Sequence, residues 1–208
     1  MPAFTCRNCG ATFTVPERIL SRYPGWTPAR CRSCREGKEG RTRSGAGRRV
    51  RSTEEVLATH TGGPHSGVFT DGGASPNPGP GGWGAVYVVD DAIVAEAYGH
   101  EGATTNNRME LTALREALGL VPPGTPTVVY SDSNLAVRTI NEWAAGWERR
   151  GWRRRTGPVE NLDLVKEVYE GFRRRPELTL RWIKAHAGSR WNEYADALAN
   201  RWRRGDAP

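Results

Sequence analysis

From Gly67 onward the chain alternates short β-branched runs with helical stripes, and that order limits the folds open to it. GVFTD, WGAVYVVD and IVAEAYGH are three strand-like runs in succession, with a tight turn predicted at Asp90–Asp91 between the second and third. NNRMELTALREALGLV then places Leu111, Leu114, Leu118 and Val121 at helical spacing. PPGTP stops that helix, and TVVYSD forms the next strand. SNLAVRTINEWAAGW and ENLDLVKEVYEGF read as helices and ELTLRWIK as a strand. A last helix from about Arg190 carries Trp191, Ala195, Leu198 and Trp202 on one side. The order βββαβααβα describes an α/β domain, a mixed five-stranded sheet carrying helices.

The 208 residues suit one such domain, placed at 66–208, plus a small appendage. No run approaches the ~18 apolar residues of a membrane span. The start, MPAFTCRNCG, lacks a charged region followed by an apolar stretch, so a cytoplasmic protein is expected. Thirty Lys and Arg against 23 Asp and Glu leave a net charge of +7, which points to a partner carrying phosphates.

All four cysteines fall in the appendage, residues 1–36: Cys6, Cys9, Cys31 and Cys34, two C-x2-C pairs separated by 21 residues. A two-residue gap turns paired thiolates toward one ion, and two such pairs complete a tetrahedral Zn2+ site. Two disulfides or four idle thiols are the alternatives, and disulfides are disfavoured without an export signal. Four thiolates leave no open position for substrate, so the zinc is expected to be structural. Phe13, Tyr23 and Trp26 alternate with Arg18, Arg22 and Arg30, a mixture that serves either as a small core or as a grip on nucleic acid. Through CRNCGATF and PARCRSCR the segment resembles small zinc-ribbon modules, which can bind nucleic acid or a protein. Residues 37–65, rich in Gly, Ser, Thr and Arg, are expected to be a flexible basic linker.

Four acids in the larger domain each allow an ordinary reading. Asp71 and Asp132 each end an apolar run, where ligands bind in open α/β sheets. Asp71 can also bond the glycine turn after it, and Asp132 can cap the following helix. Glu110 stands three residues after Asn107, a spacing like that of a capping box, and Asp196 falls opposite the apolar stripe of the last helix.

Together the surrounding runs are far more specific. TDGGASPNPGPGGWGA, TTNNRMELTAL, YSDSN and WIKAHAGSRWNEYADALAN, in that order and spacing, resemble bacterial ribonuclease H of type 1 over roughly Ser66 to Arg203. The resemblance implies the ribonuclease H-like fold with helices on both faces of the sheet. It implies an Asp-Glu-Asp-Asp tetrad, here Asp71, Glu110, Asp132 and Asp196, and a histidine on a mobile loop, here His186. Such acids suit hard cations, two Mg2+ or Mn2+ ions about 4 Å apart, with Asp71 bridging. The implied activity is endonucleolytic hydrolysis of the RNA strand of an RNA–DNA hybrid, leaving 5′-phosphate and 3′-hydroxyl ends. The protein is expected to act as a monomer.

The resemblance also assigns substrate contacts. Asn77, Asn106 and Asn107 match positions that touch the minor groove, where an amide can donate to and accept from a 2′-hydroxyl. Thr105 and Asn161 match a pocket for a phosphate of the DNA strand. NEWAAGWERRGWRRRTG matches the family's basic protrusion, with Trp143, Trp147 and Trp152 beside Arg149 and Arg150. One or two of these tryptophans are expected to pack inward. Gly146 and Asn134 depart from the family's usual polar residue and Gln at those places, which bears on substrate contacts and not on the tetrad. A hybrid-binding protein without catalysis would not need four clustered acids, and the NNRMEL asparagines and Trp/Arg protrusion set the chain apart from DNA nucleases, integrases and junction resolvases of the same fold.

Overall fold

A computed structural model of the chain describes residues 2–7, 10–15, 17–21, 27–29 and 50–205. They fall in two units, Met1–Arg49 and Val50–Pro208. In the first, β1 (Ala3–Thr5) pairs antiparallel with β2 (Thr12–Thr14), and the rings of Phe4 and Phe13 lie 6.0 Å apart across the pair. Cys6 is buried at the turn: its amide donates to the Ala11 carbonyl, and its own carbonyl accepts from the Gly10 amide, both at 2.9 Å. A short helix, α1 (Glu17–Leu20), follows. Cys9, Cys31 and Cys34 lie outside the described residues, so of the four-cysteine site predicted above only Cys6 is described.

The second unit is built on a five-stranded sheet. β3 (Gly67–Ala74), β4 (Gly79–Val89) and β5 (Ala92–Thr104) form an antiparallel meander, while β6 (Thr127–Ser131) and β9 (Leu178–Trp182) add in parallel beyond β3. The sheet order is β5-β4-β3-β6-β9, the expected mixed sheet. Asp90 and Asp91 both take left-handed backbone angles, φ 48° and 62°, as the two-residue turn between β4 and β5 demands.

Alternation along the strands splits the core in two. Val68, Ala85 and Tyr87 point to one face and meet Leu111 and Leu114 of α3 (Asn106–Leu120) and Val165 and Val168 of α6 (Leu162–Arg174). Phe69, Val86 and Val88 point to the other and meet Trp191, Tyr194 and Leu198 of α7 (Arg190–Ala199). Fully burying one side chain of this size stabilises by about 1.5–3 kcal/mol, so helices are held on both faces as expected.

Three features depart from the sequence reading. Of the expected linker 37–65, residues 50–65 belong to the second unit, and residues 37–49 lie outside the described residues. Ser52 and Glu55 form a reciprocal capping box that starts a helix, α2 (Thr53–Thr59), and this helix buries Val56 among Trp191, Tyr194 and Leu198. A helix of seven residues with a single buried side chain is too short to show a helical stripe in the sequence.

Second, β3 continues past Asp71 to Ala74, so that acid sits within a strand and not at its end. Gly72 and Gly73 weaken the strand signal, yet both pair with β4. Third, the helix expected over SNLAVRTINEWAAGW is α4 (Asn134–Arg138), a π-helical turn (Thr139–Trp143) and α5 (Ala144–Arg149). Within that wider turn the Asn141 side chain donates to the Leu180 carbonyl of β9 at 3.0 Å. Two short strands, β7 (Arg153–Arg154) and β8 (Gly157–Pro158), follow α5. No helix among the described residues is long and apolar enough to cross a membrane.

Candidate active site

Parallel pairing brings the first two acids together. Thr70 of β3 stands opposite Ser131 of β6, so Asp71 and Asp132 are the next residues out on neighbouring strands, whose backbones are about 4.8 Å apart. Glu110 arrives from α3, which crosses the sheet at Gly72. A Cβ added to Gly72 would stand 2.3 Å from the Met109 carbonyl carbon and 2.4 Å from the Glu110 nitrogen, so only glycine lets the helix backbone approach this closely. Oxygen atoms of Asp71, Glu110 and Asp132 consequently all lie within 4.8 Å of one another. Asp196, on α7 beneath the other face, approaches Asp71 closely enough to raise its affinity for a proton.

The capping roles weighed for Asp132 and Glu110 are taken by other residues. Ser133 caps α4, with its hydroxyl accepting from the Ala136 amide, so Asp132 is not the cap. Thr105 caps α3 by accepting from the Arg108 amide at 3.3 Å, so Glu110 completes no capping box. Asp71 does accept from the Gly72 amide at 2.7 Å, as its ordinary reading required.

Electrostatics mark the cluster as unbalanced. Burial first, and then the charges of Asp132 and Asp196, push Asp71 well above the usual carboxylate range. Burial followed by repulsion from Asp71 and Asp132 does the same to Glu110. Asp132 is also raised by burial, against the hydrogen bond from Asn192 and the nearness of His186, which lower it. The Oε2 atom of Glu110 is buried with no hydrogen-bond partner. Hard oxygen donors packed at this spacing, one of them orphaned, are a donor set that fits a divalent cation such as Mg2+.

Residues that sequence reasoning missed hold the tetrad in place. Asn192 donates to Asp132 Oδ2 at 3.2 Å, and Asn200 donates to Asp196 Oδ1 at 2.9 Å. The Trp182 indole donates to the Asp132 carbonyl at 3.0 Å. Asn192, Asp196 and Asn200 come four residues apart in one helical stretch, a polar stripe that was legible in the sequence. His186, exposed and left-handed at φ 48°, places Nδ1 3.3 Å from Oε1 of the buried Glu193.

The expected substrate residues separate into two groups. Near Gly73 and Ala74, the Asn77 side-chain oxygen accepts from the Asn106 amide at 3.1 Å, and the Asn106 side-chain oxygen accepts from the Ala74 amide at 2.7 Å. Asn107 instead lines a cavity of about 190 Å³ together with Ser133, Trp143, Trp147, Arg154 and Asn161. Asn161 starts α6 in a left-handed conformation, and Arg108, another residue missed, reaches both its side chain at 3.4 Å and Asp163 at 3.0 Å.

The three tryptophans of the protrusion are not equivalent. Trp147 and Trp152 pack against the core, Trp152 edge-on to Tyr169 at 5.9 Å. Trp143 lies outside that core, with the Arg138 guanidinium 4.8 Å from its ring centre. Arg149 and Arg150 are exposed at the end of α5, and the Arg150 guanidinium covers the space that a side chain at Gly146 would occupy.

The RNase H family model matches residues 64–203, two thirds of the chain and all four acids. The chain belongs to the ribonuclease H family. It is 46% identical over 137 residues to ribonuclease H of Methylorubrum extorquens, a match that takes in 66% of this chain and 59% of that relative. It is 44% identical over 136 residues to ribonuclease H of Paracidovorax citrulli, covering 64% of this chain and 91% of that protein. Among solved structures it resembles LC9-RNase H1, a type 1 enzyme with the type 2 active-site motif, at a TM-score of 0.57 and 32% identity, over 71% of this chain and 76% of that one. Membership carries the family's activity, endonucleolytic hydrolysis of the RNA strand of RNA–DNA hybrids with divalent metal ions, and the acidic cluster fits it.

Proposed function

We propose that Asp71, Glu110, Asp132 and Asp196 are the residues through which the chain cuts RNA in a hybrid, leaving 5′-phosphate and 3′-hydroxyl ends. The observation that carries the assignment is the trio of carboxylates within 4.8 Å, one with an orphaned buried oxygen. Asp71 would be the ligand shared by two ions, since the acids of Asp132, Glu110 and Asp196 all lie near it. Two Mg2+ or Mn2+ ions held there supply charge neutralisation at the phosphate and activation of water for in-line attack. Asn192 and Asn200 orient Asp132 and Asp196, so neither carboxylate must reorganise when substrate arrives. His186, exposed beside the site, moves a proton or eases product departure.

Asn77 and Asn106 engage backbone amides through their oxygens, so their amino groups are presented to a 2′-hydroxyl. Asn107 reaches the minor groove from the cavity that Trp143, Trp147 and Asn161 line, Thr105 and Asn161 hold a phosphate of the DNA strand, and Arg149, Arg150 and Trp152 complete the protrusion that binds it. The four-cysteine zinc site is proposed separately and rests on sequence spacing. Metal analysis of the purified chain, expected to give one zinc per chain that is lost in Cys6→Ser, tests it. For the tetrad the test is cleavage of an end-labelled hybrid by wild type and Asp71→Asn. Cutting of the RNA strand by the first and none by the folded second is expected, and equal cutting by both would refute the assignment.

A further inference from the structure

Residues 50–63 precede the part of the chain that matches the family, yet they touch the His186 loop at two places. At its base, Gly62 forms a parallel bridge with Ser189, and the Arg190 amide donates to the Gly62 carbonyl at 2.8 Å. The Arg190 side chain adds a bond to the His60 carbonyl at 2.6 Å. The contact is close: a Cβ on Gly63, whose φ is +96°, would stand 2.4 Å from Ser189 Oγ.

The second contact reaches the histidine itself. Glu193 is buried and shares its two oxygens, Oε1 with His186 Nδ1 at 3.3 Å and Oε2 with Arg51 Nη1 at 3.4 Å. Arg51 is in turn held by its carbonyl, which accepts from Arg204 Nη1 at 2.7 Å. Held at both oxygens, the buried Glu193 side chain links Arg51 to the imidazole. Helix α2, anchored by Val56, fixes the chain just after Arg51.

We propose that Val50–Gly63 is a positioning element for the His186 loop, in which Arg51 acts through Glu193 to orient the imidazole and the Gly62–Ser189 pairing fixes the loop's hinge. The inference rests on the ribonuclease H reading of His186, and it makes this extension part of the enzyme's turnover machinery. A loop tied at its base and braced at its tip samples fewer positions, and such loops commonly govern product release.

Steady-state cleavage by full-length Arg51→Ala tests it. Loss of a half-exposed contact lowers kcat by about threefold, with KM changed by less than about twofold. Arg51→Lys restores the rate, and both variants still melt cooperatively. The imidazole nitrogen resonances of His186 shift in Arg51→Ala without substrate. In a His186→Ala background the Arg51 change has no further effect, because the two act as one unit. Gly63→Ala, which presses on Ser189 from the other contact, lowers kcat in the same way. Equal losses in both backgrounds, or an unchanged rate and unchanged His186 resonances, would overturn the proposal. A wild-type chain unable to cut hybrid would overturn the underlying reading instead, and the resonance shift, read without substrate, separates the two failures.

Discussion

Replacing Gly72 with alanine tests how the site is assembled, because it adds one methyl group where α3 crosses β3. The new carbon would lie 2.3 Å from Met109 C, against the 3.4 Å at which ordinary contact begins, a shortfall of about 1.1 Å. The obstructing atoms are backbone, so no side chain can rotate away. Helix α3 must lift, taking Glu110 from Asp71 and Asp132. Overpacking of this kind costs about 1–3 kcal/mol, which for a chain of this size lowers Tm by about 2–12 °C. A displacement near 1 Å at a reacting site costs about 10²-fold in rate. Thermal melting and hybrid cleavage at saturating Mg2+, run below the variant's melting range, measure the two effects separately. A folded Gly72→Ala chain with wild-type kcat would show that Glu110 does not depend on this crossing, and the reasoning would fail.

Other consequences follow from the same geometry. Because burial and repulsion raise Asp71, Glu110 and Asp132, the folded metal-free chain binds protons more tightly there than the unfolded chain. Their contribution to stability is therefore fully present below the ordinary carboxylate range and is lost as pH rises through the raised values. Metal-free wild type should lose Tm with rising pH more steeply than Asp71→Asn, and Mg2+ should flatten the difference; parallel pH curves for the two would refute it. Changing Arg149 and Arg150 to alanine should weaken hybrid binding and reduce the slope of log K against log salt by about 1 per arginine, leaving single-turnover cleavage at saturating enzyme unchanged. Val56→Ala should cost about 1–3 kcal/mol in thermal melts, as a core residue does, where a linker residue would cost nothing.

The sheet was legible because its strands are short apolar, β-branched runs and its two-residue turn is marked by paired aspartates. The four acids stood out together only through the combined runs TDGGASPNPGPGGWGA, TTNNRMELTAL, YSDSN and WIKAHAGSRWNEYADALAN. Singly, Asp71 and Glu110 had ordinary alternatives, and what excludes the capping role for Glu110 is Thr105 taking the N-cap, a fact of local geometry. Helix α2 was not legible, since it has seven residues with Val56 alone buried, too short a run to show a stripe, and the Arg- and Gly-rich stretch before it has the composition of a linker. The π-helical turn at Thr139–Trp143 left no sequence mark, because one extra residue per turn changes phase without changing composition. Asn192 and Asn200 were visible as a stripe, but their meaning depended on Asp132 arriving from another strand.

Asp71, with the acids Asp132, Glu110 and Asp196 close to it, is the residue on which the proposed hydrolytic chemistry turns. Cleavage of an end-labelled RNA–DNA hybrid, with Mg2+ and with duplex DNA and duplex RNA as controls, tests it most directly in wild type and Asp71→Asn. The expected result is cutting of the RNA strand of the hybrid alone, absent in an Asp71→Asn chain that melts cooperatively and still binds hybrid. Cleavage by that variant at the wild-type rate would contradict the claim.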